Sequence, residues 1–241
     1  MNARITFYDV EHGSGSHIVT PNGIHILVDV GSKTNSSIVQ HINRKCFGGR
    51  GNHIDELIIT HPHEDHIYDL PNLNRFLPPR VLQRPRGAFN IIPTNKEPLH
   101  VAIAQSANTM NALYNQQVRM GTDPTDASVN GGVQFKIITP NERWTTKDDL
   151  NTFSCIVIVS YCGYKFVLTG DNPASILREM VKINFDGINE AVRNATVLLA
   201  PHHGRAGEFC REFFDIVNPL LTVVSDKSIV HSTQEETASL Y

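Results

Sequence analysis

Between Ile58 and Leu70 the chain reads IITHPHEDHIYDL: an apolar run breaks into three histidines and two acids within the six residues from His61 to His66. No other stretch restricts the fold as sharply, because a core strand that ends in coordinating groups must deliver them where something compensates their polarity. In extended chain, residues two apart point the same way, so His61 and His63 leave the strand side by side and can reach one ion. Asp65 and His66 open the next helix and project toward the same loop crest one step further along, which suits a second ion beside the first. Imidazole and carboxylate form the ligand set of zinc in hydrolytic sites, and iron or manganese accept it too. The competing reading is a polar loop with helix-capping acids; the H-x-H-x-D-H spacing directly behind a buried strand argues against it.

Around this stretch, apolar runs of strand length recur between Gly, Pro, Asn and Asp. They cover residues 4–10, 16–20, 24–31, 55–60, 133–139, 154–161, 164–170, 195–200 and 220–225, and are rich in Val, Ile, Thr or aromatics. Pro21-Asn22-Gly23 and Cys162-Gly163 fall where hairpin turns belong. Helical patterning is confined to 36–46, 65–77, 98–118, 172–183 and 206–217. Two strand-rich halves interleaved with helices predict two sheets packed face to face with helices outside, an α/β (α+β) four-layer αββα sandwich. With 241 residues, 40% of them hydrophobic, one domain over 1–241 is expected. The least legible part, 77–130, carries Arg80, Arg84, Arg86 and Lys96 among several prolines; it reads as a solvated connector, with a lid or substrate-contacting element as the alternative. No internal repeat is visible.

A formal charge of −3 gives no global basic field, so any contact with nucleic acid has to come from a local patch. The four cysteines, Cys46, Cys155, Cys162 and Cys210, form no C-x-x-C pair, which excludes a zinc ribbon or a redox motif and suits reduced thiols in the cytoplasm. MNARITFYDV reads as a strand rather than a secretory segment, and no run of 18 apolar residues occurs, so a soluble, cytoplasmic chain without a membrane segment is expected.

THPHEDH resembles the signature of the metallo-β-lactamase-fold hydrolases, and ILVDVG, FVLTGD and VLLAPHHGRAG resemble further motifs of that family, in its order, over nearly the whole chain. The resemblance implies Asp29 as a structural acid and Asp171 as a metal-bridging carboxylate. Together with FYDVEHGSG and NTFSCIVIV, these segments look most like the soluble hydrolase domain of ComEC-type competence proteins, which take up DNA. Asp171 also has a physical case: an acid leaving a buried strand beside Gly170 needs water or a cation, although capping the helix 172–183 is a compatible role. His202 and His203 stand at the mouth of another strand, and either can be the late ligand; His231 is a third candidate. Many family members carry a further metal-binding histidine between H-x-H-x-D-H and the bridging acid. This chain has no histidine between His100 and His202, which leaves Asn141, Asn151 or water for that position; separately, VEHGSG stands where the ComEC-type branch commonly shows a Gly-rich VGQGD, which places His12 near the site as another candidate. Relatives usually continue with another strand after STQEETASLY, so a larger protein or a partner subunit is among the expectations.

The implied chemistry is a metal-dependent hydrolase. Two divalent ions about 3.5–4 Å apart, zinc first with manganese or iron as alternatives, share a water and hold the resulting hydroxide in line with an electrophile. Asp65 ligates the second ion and orients the nucleophile, Asp171 bridges, and whichever of His202 and His203 is not a ligand contacts a substrate oxygen or protonates the leaving group. No G-x-S-x-G, Walker or dinucleotide-binding motif is present. The resemblance implies a nuclease or phosphodiesterase acting on DNA, another nucleic acid or a small phosphodiester, with Arg205 and the arginines at 80, 84 and 86 meeting phosphates. Hydrolysis of a small ester, thioester or lactone is the enzymatic alternative, and a degenerate binding or regulatory module the non-enzymatic one.

Overall fold

The computed structural model describes residues 2–32, 36–114, 123–226 and 237–241. The chain falls into two compact units, Met1–Gly132 and Val133–Tyr241. In the first, β1 (Arg4–Phe7), β2 (Gly15–Val19), β3 (His25–Val30), β4 (Ile54–Ile58) and β5 (Pro79–Gln83) form one sheet in sequence order. β1 to β3 run antiparallel, and β3 to β5 parallel. The predicted turn at Pro21-Asn22-Gly23 closes β2 onto β3, with Gly23 at φ 78° and the Ile24 N–H donating to the Thr20 hydroxyl.

A parallel crossover needs a helix, and α1 (Ile38–Phe47) supplies the one from β3 to β4. Its start is fixed by Ser37, whose hydroxyl accepts from the Gln40 N–H, and its end by Gly48 in the left-handed conformation. The β4–β5 crossover, expected as one helix over 65–77, is two: α2 (Glu64–Ile67) and α3 (Leu70–Phe76). Pro71 is the cause, since it lacks the N–H a continuous helix needs and its ring collides with the carbonyl one turn back. α4 (Pro98–Leu113) packs on α3. Ile38, Val39 and Ile42 of α1 meet Leu27, Leu57, Leu70 and Leu73 in the core of this unit.

The second unit repeats the arrangement. β6 (Gln134–Ile138), β7 (Ile156–Tyr161) and β8 (Tyr164–Leu168) run antiparallel, and β8, β9 (Val197–Leu199) and β10 (Leu221–Val223) parallel. Cys162 and Gly163 both take positive φ, 49° and 84°, which is the two-residue turn that matches strand twist. α5 (Ala174–Lys182), α6 (Ile188–Val192) and α7 (Arg211–Val217) cover a core of Ile156, Ile158, Leu177, Met180, Leu198 and Phe213.

Two expectations change. Residues 77–130 are not merely a connector, because Pro79–Gln83 is the edge strand of the first sheet. Its proline sits at the first strand position, where no ladder donor is lost. Arg80 and Arg84 are also engaged locally. Arg80 stands 3.6 Å from Asp55, while Arg84 donates to the Asn111 side chain and carbonyl and lies over Phe89. Among the described residues no helix is long and apolar enough to cross a membrane.

Candidate metal centre

In the first unit the histidine run is built on Thr60 and Asp29. The Thr60 N–H donates to one Asp29 oxygen and its hydroxyl to the other, both at 2.8 Å. Asp29 Oδ2 also stands 2.8 Å from His66 Nδ1, in a pair almost wholly buried. A carboxylate gripped by two donors acts as acceptor, so Nδ1 of His66 carries the hydrogen and the ring presents Nε2 to an ion. Asp29 occupies φ 57°, in the left-handed region that aspartate tolerates better than most non-glycine residues. Asp29→Asn is expected to weaken metal binding or activity about 10–100-fold, the usual cost of removing an orienting carboxylate; a metal titration of the purified variant checks it.

His61 and His63 stand side by side as their spacing requires, with His61 Nε2 3.1 Å from His63 Nδ1; the His61 and His66 rings are 4.1 Å apart between centroids. Nitrogens sharing a tetrahedral zinc lie about 3.3 Å apart, so this spacing suits common ligation. Asp65 has an oxygen 3.4 Å from His12 Nε2, which sets His12 beside the H-x-H-x-D-H run. Glu64, the other acid of the run, turns to Thr94 and His100. Two glycines admit this loop: a Cβ on Gly13 would lie 2.5 Å from the Asp65 carbonyl oxygen, and one on Gly31 would lie 2.3 Å from it and 2.7 Å from the Ser14 carbonyl. Because those neighbours are backbone, Gly31→Ala should push the Asp65 segment aside and destabilise the protein by about 1–3 kcal/mol; an unchanged melting temperature would contradict this packing.

In the second unit Asp171 follows β8. Its N–H donates to the Ser154 hydroxyl at 3.2 Å, and the Asn172 amide donates to the carbonyls of Ser154 and Thr169, so the SCIVIV segment fixes the turn that carries the acid. Asp171 is not a helix cap: α5 starts at Ala174 with Pro173 at the cap position, and the Ala174 N–H is taken by Glu208. His203 and His202 approach the same Asp171 oxygen at 3.4 and 3.8 Å through Nε2. His203 Nδ1 lies 2.8 Å from the Ser225 carbonyl, which can only accept, so Nδ1 carries a hydrogen and Nε2 is the ring nitrogen turned toward Asp171. An imidazole nitrogen and a carboxylate oxygen at that separation form a donor set that fits a divalent ion.

His202, His203 and Gly204 take successive positive φ values of 46°, 57° and 76°; the first two are strained for L-residues. Burial pushes the His202 imidazole below its ordinary pKa, with nearby Asp171 opposing and Arg205 adding to the shift. Arg205 is therefore close enough to His202 to act on it. Asn141 is exposed and caps the turn at Glu142–Trp144 through Arg143, so it does not stand as a ligand. Asn151 keeps a buried Oδ1 without a hydrogen-bond partner. His231 lies outside the described residues, as does the Arg86 side chain. Sequence reasoning could not name Thr60 and Ser225 as the groups behind the histidines; the only signal was that each histidine run directly follows or precedes a strand.

A search of curated protein sequences returns no match. Among solved structures, the chain is similar to the metallo-β-lactamase fold protein YhfI from Bacillus subtilis, at 10% identity over 99% of this chain and 93% of that one, with a TM-score of 0.49. It is similar to MEM-A1, a subclass B3 metallo-β-lactamase from a soil metagenome library, at 15% identity over 83% and 76%, TM-score 0.47. It is also similar to CmlA, a diiron β-hydroxylase from Streptomyces venezuelae, at 15% identity over 92% and 44%, TM-score 0.48. The family model of the metallo-β-lactamase superfamily matches residues 12–207, a span that holds Asp29, the H-x-H-x-D-H run, Asp171 and the paired histidines. With two mixed sheets flanked by helices and ligand-type side chains at the strand ends, the chain has the metallo-β-lactamase fold and belongs to that superfamily of metal-dependent hydrolases.

Proposed function

We propose that the protein is a metal-dependent phosphodiesterase that cleaves DNA or another nucleic acid. By the resemblance to the superfamily's motifs, His61, His63, Asp65, His66, Asp171 and His203 are the residues that would hold two divalent ions, zinc foremost. The observation that carries this reading is the orientation of the imidazoles: an acceptor behind His66 and another behind His203 each fix the hydrogen on Nδ1 and leave Nε2 as the coordinating atom. When bound, such ions lower the pKa of a water and neutralise charge on substrate oxygens. Asp65 orients the attacking water. His202, whose pKa burial lowers, contacts a phosphate oxygen or, once it has taken up a proton, passes it to the leaving group. Arg205 supplies the positive charge that a phosphodiester, unlike a lactone, needs beside it. The resemblance to the ComEC-type domain supports DNA as the substrate class.

The test uses protein stripped with chelator and reloaded with Zn²⁺ or Mn²⁺. Labelled single- and double-stranded DNA and a chromogenic phosphodiester should be cut, and His63→Ala and Asp65→Ala should be inactive yet folded. Turnover of lactones or thioesters with none of any phosphodiester would end the phosphodiesterase reading.

A further inference from the structure

The first unit carries a second cluster of ligating groups, outside the H-x-H-x-D-H run. In the β2–β3 register His17 pairs with Leu27 and Val19 with His25, which sets His17, His25 and Leu27 on one face of the sheet. That face packs on α1, since Leu27 shares a core with Val39 and Ile42, and Cys46 lies one turn after Ile42 on the same helix. His17 Nε2 stands 3.0 Å from His25 Nδ1, with the rings stacked 5.2 Å apart. One donor atom from each of His17, His25 and Cys46 lies within 4.8 Å of the other two. Donors on a tetrahedral zinc at about 2.0–2.3 Å lie roughly 3.3–3.6 Å from each other, so a small closure of side chains completes the set.

His17 is the telling residue. It is only 2% exposed, and a core position between a sheet and a helix is ordinarily filled by an apolar side chain. Its Nε2 points at another ring nitrogen near a thiol, a convergence of two nitrogens and one sulfur that suits a borderline-soft cation. His25 and Cys46 are partly exposed, which gives an ion a route in and leaves a fourth position for water. Phe47 packs against the His25 ring at 4.8 Å between centroids, tilted to it. The charge of Arg4 acts on both imidazoles and opposes a cation, while the Asp55 carboxylate, which accepts from the backbone N–H of His25 at 2.8 Å, favours one.

We propose that His17, His25 and Cys46 form a separate site for one zinc-class divalent cation, which pins the β2–β3 hairpin to α1. Burial holds both histidines below their ordinary pKa, His17 at about 3, so both rings carry lone pairs at neutral pH. The ligands of the hydrolytic centre include no cysteine, so sulfur gives this site its own signature and the two proposals fail independently.

The full-length protein, stripped of metal and titrated with Co²⁺ as a spectroscopic stand-in for zinc, should develop a near-ultraviolet thiolate-to-cobalt charge-transfer band. Cys46→Ser and Cys46→Ala should abolish that band and lower bound metal by one equivalent per chain, while retaining the visible bands of the other centre. Cys46 is partly exposed at the end of a helix, so both variants should fold; circular dichroism checks this, and His25→Ala provides a third variant with the same expected loss. Absence of the band from the unmutated protein, or its survival in both Cys46 variants, would overturn the site.

Discussion

Asp171→Asn is expected to lower metal-dependent hydrolytic turnover by about 10³-fold or more and to leave the metal-free protein at least as stable as before. The substitution keeps the shape of the side chain and removes its charge. The turn itself rests on Ser154 and Asn172, which the change does not touch. What disappears is the anion that His203 and His202 face at 3.4 and 3.8 Å, and with it the compensation for a cation at that position. The metal-free fold should gain slightly, because a buried carboxylate is costly without its counter-charge. Steady-state kinetics, bound-metal analysis and thermal melts on the same preparation check all three parts. Activity within tenfold of the unmutated protein would remove Asp171 from the centre.

The second large effect is on stability. Glu56 sits in the middle of β4 with both carboxyl oxygens sealed from solvent, and burial pushes its pKa from 4.5 up to about 8, Gln83 opposing and Asp123 adding to the shift. A folded-state pKa above the unfolded one means the folded protein holds a proton that the unfolded chain releases. The associated stability is fully present below pH 4.5 and is lost as pH rises through 8. At pH 7 the loss is at most about 3 kcal/mol, since each pKa unit corresponds to about 1.4 kcal/mol. Glu56→Gln cannot ionise, so its stability relative to the unmutated protein should climb between pH 5 and 8.5 and level off above that. Urea unfolding in chelator at several pH values gives the difference curve directly, and a flat curve would mean that Glu56 ionises in the fold at its ordinary pKa.

Local patterns were legible and pairings were not. Nine strands could be read because each is a short apolar run whose boundaries are marked by Gly, Pro, Asn or Asp. Pro79–Gln83 escaped because its proline and arginine look like loop, and only hydrogen bonding to β4, more than twenty residues earlier, makes it a strand. The two sheets share one pattern, three antiparallel strands followed by two parallel ones, although no sequence repeat announces it. Many different sequences satisfy the same ladder, so topology can recur where residues do not.

The candidate ligands divide in the same way. His61, His63, Asp65 and His66 lie within six residues, and strand and helix periodicity alone place them together. The sequence by itself thus determined which side chains could meet an ion and which strand ends would carry them. Tertiary structure alone decided that Asp29 and Ser225 set the histidine tautomers, and that Cys46 comes to lie beside His17 and His25. The physical reason is range: periodicity fixes the direction of a side chain over a few residues, whereas a hydrogen bond or a shared donor set across thirty residues exists only once burial has brought distant strands and helices into register.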